Sequence, residues 1–213
     1  MPTMTGHMTG RPSGAASWRH VRTERLRLDE PVDADAADLF AIHTDPASWQ
    51  HFPSGRVTDP AAGSTMVGAS RRRFDRDGLA YWSVRDAEGG PVVGRGGCMV
   101  PDEALGGRGW WNLYYRFDQR VHRRGYAVEM GRAALDAAHD VAPDRPVLAF
   151  LLEHNVASRR TAERLGLRLV WRGPDAGNPD PQAVRLVFLD REPDATFRAE
   201  VAGQGWEHEG FVS

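Results

Sequence analysis

Apolar and polar residues alternate along this chain in patterns that predict both strands and helices. Leu26 and Leu28 alternate with polar residues, which is typical of a strand with one buried face. Asp33 then stands where its side chain can cap a helix that carries Leu39 and Phe40 on one side. The first part of the chain therefore predicts a strand followed by a helix.

The next stretch predicts a second helix, a hairpin and an aromatic strand. Pro60 suits the start of the helix, and Gly78 suits its end. Two strand-like segments, 81–86 and 91–100, flank a glycine turn and predict a hairpin. The aromatic segment 109–117 has the composition of a further strand.

Helices and strands take turns in the second half of the chain. A helix is predicted to begin near Tyr126, and the continuous apolar run 147–152 is typical of a strand covered on both faces. A helical segment, 156–166, is followed by two more strand-like segments, 167–173 and 184–191. The whole pattern predicts an α/β fold, in which helices flank a mixed sheet.

Length and composition narrow the class of protein. The 213 residues suit one domain with tails, and we predict a disordered leader over 1–20, a domain over 21–191 and a C-terminal tail of unassigned structure over 192–213. The net charge of −2 gives no basic excess for nucleic acid. No apolar run approaches the ~20 residues of a membrane span, and the N-terminus lacks an apolar signal-peptide core. We therefore expect a cytoplasmic protein with neither nucleic acid nor a membrane as partner.

Metal and cysteine chemistry are not expected. The eight histidines show no metal-ligand spacing such as H-E-x-x-H, so we predict no metal site. The single cysteine, Cys98, excludes an internal disulfide and lies within a predicted strand, where a small buried apolar residue is the simplest interpretation. The glycine-rich segment 94–97 has no helix after it and so lacks the context of a dinucleotide-binding loop.

One strand-to-helix junction carries two arginines and a glycine in the sequence HRRGYA, residues 122–127. Gly125 lets the backbone approach a ligand closely, and the first N–H groups of a helix have no partner inside the helix. These groups and the positive end of the helix dipole favour a phosphate. Arg123 and Arg124 can add bidentate contacts. The local sequence alone is equally compatible with a solvated basic turn.

This junction and a second motif resemble those of the GNAT superfamily of acyl-CoA-dependent N-acetyltransferases, most closely the branch of ribosomal-protein N-terminal (Rim-type) acetyltransferases. Residues 122–127 fit the pyrophosphate loop of that family from the glycine onward, with His122 where Gln or Arg is usual. The second motif is N-V-A-S at 155–158, followed by a helix that ends in L-G-L at 165–167. The resemblance covers roughly residues 23–191 and implies a mostly antiparallel, twisted sheet that is splayed between its fourth and fifth strands.

The resemblance implies that acetyl-CoA is the co-substrate and that its pantetheine arm lies in the splay. The two splayed strands would be 111–117 and 147–152, with backbone groups near Tyr115 and Phe117 holding the arm. The pyrophosphate would be held by the residues of the loop, which are His122, Arg123, Arg124, Gly125, Tyr126 and Ala127.

The same resemblance assigns roles in catalysis. Asn155 would hydrogen-bond the cofactor, and Ser158 would protonate the departing thiolate, although Ser158 suits a helix N-cap equally well. Related enzymes often carry a glutamate general base where this chain has Asn112, and an amide cannot serve as a base at neutral pH. Deprotonation of the amine in solvent is one alternative, and the candidate substitutes are His43, His51, Glu153 and His154.

The function implied is an acetyl-CoA-dependent N-acetyltransferase whose acceptor is a primary amine, on a small molecule or at a protein N-terminus. Two alternatives stay open, which are a non-catalytic acyl-CoA binding or sensing module and an acyltransferase that uses a longer acyl-CoA. A cationic acceptor would suit acidic loop residues, which are available at Asp45, Asp59, Asp175 and Asp180. Members of this branch are often dimers, and the sequence leaves a homodimer open.

Overall fold

A computed structural model describes residues 18–102, 109–202 and 210–212. These residues form one eight-stranded sheet with helices on both faces, which confirms the predicted fold class. The strands are β1 (His20–Arg22), β2 (Leu26–Asp29), β3 (Trp82–Asp86), β4 (Gly89–Met99), β5 (Trp111–Phe117), β6 (Val147–Leu152), β7 (Arg168–Pro174) and β8 (Val184–Leu189). The α-helices are α1 (Ala36–Thr44), α2 (Ala62–Asp77), α3 (Tyr126–Val141), α4 (Val156–Arg164) and α5 (Ala195–Ala202).

The strands lie in the order β1-β2-β3-β4-β5-β6-β8-β7, and neighbours are antiparallel except for β5 and β6. That parallel pair is in register only at Trp111 with Val147 and at Asn112 with Leu148. The remainder of β5 has no ladder partner on β6, so the sheet opens toward the carboxyl ends of these two strands. This opening confirms the predicted splay. The two strands are the fifth and sixth because the short β1 escaped sequence-based prediction.

The alternation of side chains along β5 separates two layers of the molecule. Phe117 points toward α3, where its ring meets that of Tyr126 edge to face at 6.4 Å. Tyr114 points to the opposite face and contacts His43 of α1. Helices α3 and α4 therefore cover one face of the sheet, and α1 and α2 cover the other.

Glycine and aspartate residues set the boundaries of α1 and α2. Gly78 has a φ of 78° and donates its N–H to the carbonyl of Phe74 at 3.1 Å, which confirms the predicted end of α2. The predicted capping role of Asp33 is wrong. Asp33 begins a short 3-10 turn, and its carboxylate pairs with Arg71 at 3.0 Å. The turn instead brings the Asp35 carboxylate to the N–H of Val32 at 3.1 Å.

Both ends of the predicted domain extend further than the sequence indicated. Trp18 lies against the sheet, because its carbonyl accepts a hydrogen bond from Trp82 Nε1 at 2.6 Å, so the domain includes residues 18–20 of the predicted leader. Residues 1–17 of that leader lie outside the described residues. In the tail, α5 buries Phe197 to 1 % exposure, and the Phe197 ring packs edge to face on Trp110. The tail therefore covers part of its own chain.

Candidate active site

The backbone of β5 borders the splay along the part of the strand that has no ladder partner on β6. Trp111 donates its N–H to the carbonyl of Pro146 at 2.8 Å, beside β6, whereas Asp118 donates to Val93 of β4 at 2.9 Å. Because successive residues of a strand direct their backbone groups to opposite sides, odd-numbered residues of β5 face the gap. Beyond the ladder, the residues whose backbone groups point into it are Tyr115 and Phe117, and the carbonyl of Phe117 lies 3.1 Å from the ring Nε2 of His122. This geometry agrees with the predicted role of the backbone near Tyr115 and Phe117.

The side chain of Tyr115 joins β5 to α4. Its hydroxyl donates to the carbonyl of Ser158 at 3.0 Å. Burial raises the pKa of Tyr115 to about 12, so the phenol is neutral at physiological pH and keeps its proton in this hydrogen bond. The contact fixes the first turn of α4 beside the splay.

The loop before α3 has the backbone geometry of an anion site. Arg123 has a φ of 64°, and Gly125 has a φ of 79° directly before the helix begins at Tyr126. Among the described residues, no oxygen accepts a hydrogen bond from the N–H groups of 123–127. Successive N–H groups in such a turn form a concavity that attracts anions. The loop residues named in the sequence analysis are therefore gathered at the N-terminus of α3.

Two residues that sequence reasoning missed hold this loop in place. Glu129, in the first turn of α3, accepts hydrogen bonds from the Thr23 hydroxyl at 2.6 Å and from the Arg25 Nε at 2.7 Å. Arg25 Nη1 donates in turn to the carbonyl of Arg124 at 2.8 Å. Burial alone would raise the pKa of Glu129, but the hydrogen bonds from Thr23 and Arg25 outweigh burial and lower it. The turn between β1 and β2 is thus attached to the loop by a charged pair.

The side chain of Tyr126 is held by contacts within the protein, whereas its backbone N–H has no partner among the described residues. Its hydroxyl donates to the carboxylate of Asp86, and its ring lies 5.4 Å from the Arg25 guanidinium carbon. The side chain is 7 % exposed, so only its N–H group is directed toward the loop. A contact between Tyr126 and a phosphate would therefore be a backbone contact.

In the second motif, the structure shows which of Asn155 and Ser158 caps α4, a question that the sequence left open. Asn155 is the N-cap of α4, because its carboxamide oxygen accepts the N–H of Ser158 at 3.1 Å. The N-cap interpretation of Ser158 is wrong, since Ser158 lies three residues inside that cap. The predicted contact of Asn155 with the cofactor and the predicted proton transfer by Ser158 remain predictions.

A cleft of about 360 Å³ opens next to the end of β6. Three segments line it: residues 50–54 between α1 and α2, Leu152 and His154 at the end of β6, and residues 178–183 between β7 and β8. Leu152 is the last residue of β6, so the cleft lies at the carboxyl end of that strand, the end toward which the sheet opens. The site thus has an anion loop, an open strand edge and a separate cleft.

A family model for the acetyltransferase (GNAT) domain matches residues 25–168. The chain belongs to the GNAT acetyltransferase family. The matched residues include β5, the loop before α3 and the Asn155 cap. Membership makes the protein an N-acetyltransferase.

Relatives of this GNAT protein share its fold at low sequence identity. The Bacillus subtilis protein YkkB, itself uncharacterised, is 27 % identical over 145 residues, which cover 68 % of this chain and 83 % of YkkB. A protein from Bordetella pertussis assigned to the GNAT family superposes with a TM-score of 0.66 at 20 % identity, over 81 % of this chain and 99 % of its own. RimL, a ribosomal L7/L12 α-N-protein acetyltransferase solved with coenzyme A, gives a TM-score of 0.62 at 13 % identity, over 80 % and 97 % of the two chains.

Two of the four candidate bases of this GNAT chain line the cleft. They are His51 and His154, and His154 Nε2 lies 2.9 Å from the carbonyl of His51. Because a carbonyl only accepts hydrogen bonds, this ring nitrogen carries a proton. Burial lowers the pKa of His51, and the charges of Arg116 and His154 lower it further. The His51 imidazole is therefore neutral at pH 7 and has a lone pair available.

The other two candidates are committed to different partners. His43 is 2 % exposed, with Nδ1 bonded to the carbonyl of Leu39 at 2.7 Å and Nε2 3.2 Å from the hydroxyl of Tyr114. Burial, helped by the charge of Arg95, lowers the pKa of His43 to about 3. Glu153 pairs with Arg172 at 2.8 Å, and this hydrogen bond lowers the pKa of Glu153.

Asn112 also has a structural contact on β5. Its carboxamide nitrogen donates to the hydroxyl of Tyr81 at 2.8 Å. Burial raises the pKa of that phenol, so Tyr81 is neutral and is no substitute for a carboxylate base. The position where related enzymes carry glutamate is therefore occupied by a pair of neutral groups.

The four loop aspartates do not gather into an acidic pocket. Asp45 and Asp59 accept backbone N–H groups from Ala47 and Ala61, at 3.0 and 2.9 Å. Asp175 pairs with Arg185. Asp180 is the one of the four that lines the cleft.

The described part of the chain gives no sign of metal or membrane chemistry. Within it, no three His, Cys, Asp or Glu side chains are placed to bind a metal ion together. No helix within the same ranges has the length and apolar character needed to cross a bilayer. Cys98 is buried, and burial raises the pKa of its thiol well above the ordinary value, so it is not a reactive nucleophile.

Proposed function

We propose that this protein transfers the acetyl group of acetyl-CoA to a primary amine that enters the cleft. The observation that carries the proposal is the loop at 122–127, where five N–H groups lack partners among the described residues, beside the open edge of β5. The loop would hold the pyrophosphate, and the backbone of Tyr115 and the N–H of Phe117 would hold the amides of pantetheine. This arrangement supports acetyl-CoA as co-substrate.

The amine would attack the thioester carbonyl directly, without a covalent enzyme intermediate. The ammonium form must first lose a proton, and His51 is the group of the cleft best suited to accept it. Its pKa lies below the ordinary value for histidine, so it is unprotonated at pH 7. General acid–base help of this kind contributes about 10²–10⁴-fold. Ser158 would return a proton to the departing CoA thiolate.

Ordering of the site accounts for much of the remaining catalysis. Tyr115 and the Asn155 cap hold the first turn of α4 beside the splay, so Ser158 is positioned before the substrate binds. Arg25 and Glu129 do the same for the pyrophosphate loop. Placing two reactants in a fixed orientation replaces a bimolecular encounter by an effectively unimolecular step.

A non-catalytic acyl-CoA binding module is the second candidate, because Asn112 stands where related enzymes carry a carboxylate. Release of free thiol from acetyl-CoA distinguishes the two, since a binding module consumes no thioester. Purified protein is incubated with acetyl-CoA and a panel of primary amines, with amine-free samples as controls. We expect thiol release that depends on the amine and falls as the acyl chain is lengthened from acetyl to hexanoyl. Tight binding of acetyl-CoA without amine-dependent release would establish the binding module instead.

A further inference from the structure

Two arginines lie side by side on the face of the sheet that α1 and α2 cover. Arg95 of β4 and Arg116 of β5 are directly opposite each other in the ladder, so their side chains leave the same face. Residues opposed in this way have Cβ atoms about 4.5–5.5 Å apart, and like charges there are destabilising. This register therefore needs a compensating interaction.

The protein supplies no counter-ion for either guanidinium within its described ranges. Arg95 is 8 % exposed, its Nη2 donates to the Ser70 hydroxyl at 3.2 Å, and its Nε has no partner in the same part of the chain. Arg116 donates to the Tyr114 hydroxyl at 2.9 Å and lies over the ring of Trp49 at 3.6 Å. All of these partners are neutral. Burial of a charge without an opposite charge is costly, so the pair favours an anion.

An arginine on the neighbouring strand β3 shows how such a guanidinium is ordinarily neutralised, which is by a carboxylate. Arg85 of β3 pairs with the Asp35 carboxylate and lies 3.8 Å from that of Asp29. Arg95 and Arg116, by contrast, have no carboxylate partner among the described residues, and only Arg116 belongs to the strand that borders the splay. Arg116 belongs to β5, the strand whose backbone edge faces the gap.

Of this pair, Arg116 contacts the segment that precedes one wall of the cleft, and neither arginine itself lines the cleft. Arg116 Nη1 donates to the carbonyl of Ser48, and its guanidinium stacks on Trp49, immediately before residues 50–54 of the cleft wall. Its charge reaches His51, where it helps to lower the pKa. Asp180 is the single carboxylate among the described residues that line the cleft. The cleft thus has a basic group behind one wall and an acidic group on another segment.

We propose that the acceptor amine also carries a carboxylate and that Arg116, with Arg95 behind it, binds this group. The inference rests on the proposed acetyl transfer and names its substrate class as an amino carboxylate, such as a free amino acid. The carboxylate would supply the charge that the cross-strand pair lacks. Its amino group would lie toward His51. A polyamine or an aminoglycoside-like cation is disfavoured by the same charges.

Matched pairs of acceptors test this inference. Glycine, β-alanine and phenylalanine are compared with glycinamide, β-alaninamide and phenylalaninamide by thiol release at saturating acetyl-CoA. We expect kcat/KM for the acid to exceed that for the amide by about 10-fold to 100-fold, as for a charge-assisted hydrogen bond. In Arg116→Gln that ratio falls toward unity, while the KM for acetyl-CoA stays within about twofold. Arg71→Gln is the matched control, because Arg71 is exposed and paired with Asp33.

Equal use of acids and amides by the wild type would overturn the carboxylate site while leaving acetyl transfer intact. An unchanged preference in Arg116→Gln, with normal folding, would overturn it as well. Calorimetric titration of the CoA-loaded protein with the same six compounds separates this inference from the proposed function. Selective binding of the acids without turnover supports the carboxylate site and contradicts acetyl transfer, and binding of neither member of any pair contradicts the carboxylate site.

Discussion

The two proton transfers that we propose use side chains of different elements. His51 lies in the connection between α1 and α2, whereas Ser158 lies in the first turn of α4. A residue close by in the chain has a structural role in each case, since His43 is buried against Tyr114 and Asn155 caps α4. Substituting the two residues of each set separately should therefore distinguish effects on catalysis from effects on folding.

His51→Gln should lower kcat about 10²-fold, because the substitution removes the proposed proton acceptor. The pKa of His51 lies below the ordinary 6.5, so wild-type activity should fall only as the pH drops through that lower value. The acid limb of the pH–rate profile should disappear in the variant. His20→Gln on exposed β1 is the control, and an unchanged acid limb in His51→Gln would assign the base elsewhere.

Ser158→Ala and Asn155→Ala should differ in what they change. Loss of the Asn155 cap should lower the free energy of unfolding by about 1 kcal/mol, whereas Ser158→Ala should leave it nearly unchanged. Ser158→Ala should instead reduce kcat more than it weakens acetyl-CoA binding. Urea unfolding and steady-state kinetics measure the two effects. Destabilisation by Ser158→Ala with normal turnover would contradict the assignment.

Contacts between separate elements of the fold determine where the loop at 122–127 lies. Its backbone conformation is local, since Arg123 and Gly125 supply the left-handed positions. Its placement is not local, because Glu129 of α3 binds Thr23 and Arg25 in the turn between β1 and β2. The Arg25 side chain of this ion pair is 47 % exposed, so solvent weakens the attraction. The Glu129 side chain is only 15 % exposed, which strengthens it. The pair therefore fixes the position of the loop that we propose to bind the cofactor.

Glu129→Gln should raise the Kd for acetyl-CoA about tenfold, because a charged hydrogen-bonding partner of Arg25 is lost and the loop is held less firmly. The kcat at saturating acetyl-CoA should change less than about twofold. Glu163→Gln is the control, since Glu163 forms an exposed pair with Arg159 on α4. Equal changes of kcat and Kd would indicate that Glu129 acts on more than the cofactor loop.

At the scale of the whole molecule, β5 lies at the centre of the proposed site, because it joins the two layers of helices and borders the splay. β5 directs Phe117 and Tyr115 toward α3 and α4, and Tyr114 toward α1, while part of its backbone edge faces the splay. The C-terminal α5 completes this core rather than lying apart from it. We therefore expect the chain beyond β8 to contribute to the stability of the domain.

Phe197→Ala should lower the free energy of unfolding by about 3–5 kcal/mol, because Phe197 is fully buried and the substitution leaves a cavity. Phe150→Ala, at a side chain that is 41 % exposed, should cost clearly less. Chemical denaturation of both variants provides the comparison. A loss below about 1 kcal/mol for Phe197→Ala would show that α5 is not integral to the fold.

Sequence reasoning predicted the features that depend on neighbouring residues. The strand at 147–152, the end of α2 at Gly78 and the loop at 122–127 each follow from local pattern. The bond between Arg25 and Glu129 joins positions 104 residues apart, and the opposition of Arg95 and Arg116 depends on strand register. Neither has a local signal. The cap of α4 was ambiguous because Asn155 and Ser158 are both good capping residues, and only backbone geometry separates them.

The most direct test of the account is calorimetric titration of the purified protein with acetyl-CoA, dephospho-CoA and adenosine. We predict binding of acetyl-CoA, weaker binding without the 3′-phosphate because Arg123 and Arg124 lie exposed at the loop, and none of adenosine alone. Gly125→Glu should abolish binding, whereas Gly90→Glu, which places the same residue at another positive φ in open space, should not. Failure of the wild type to bind acetyl-CoA, or normal binding by folded Gly125→Glu, would contradict the central claim that this loop holds the cofactor.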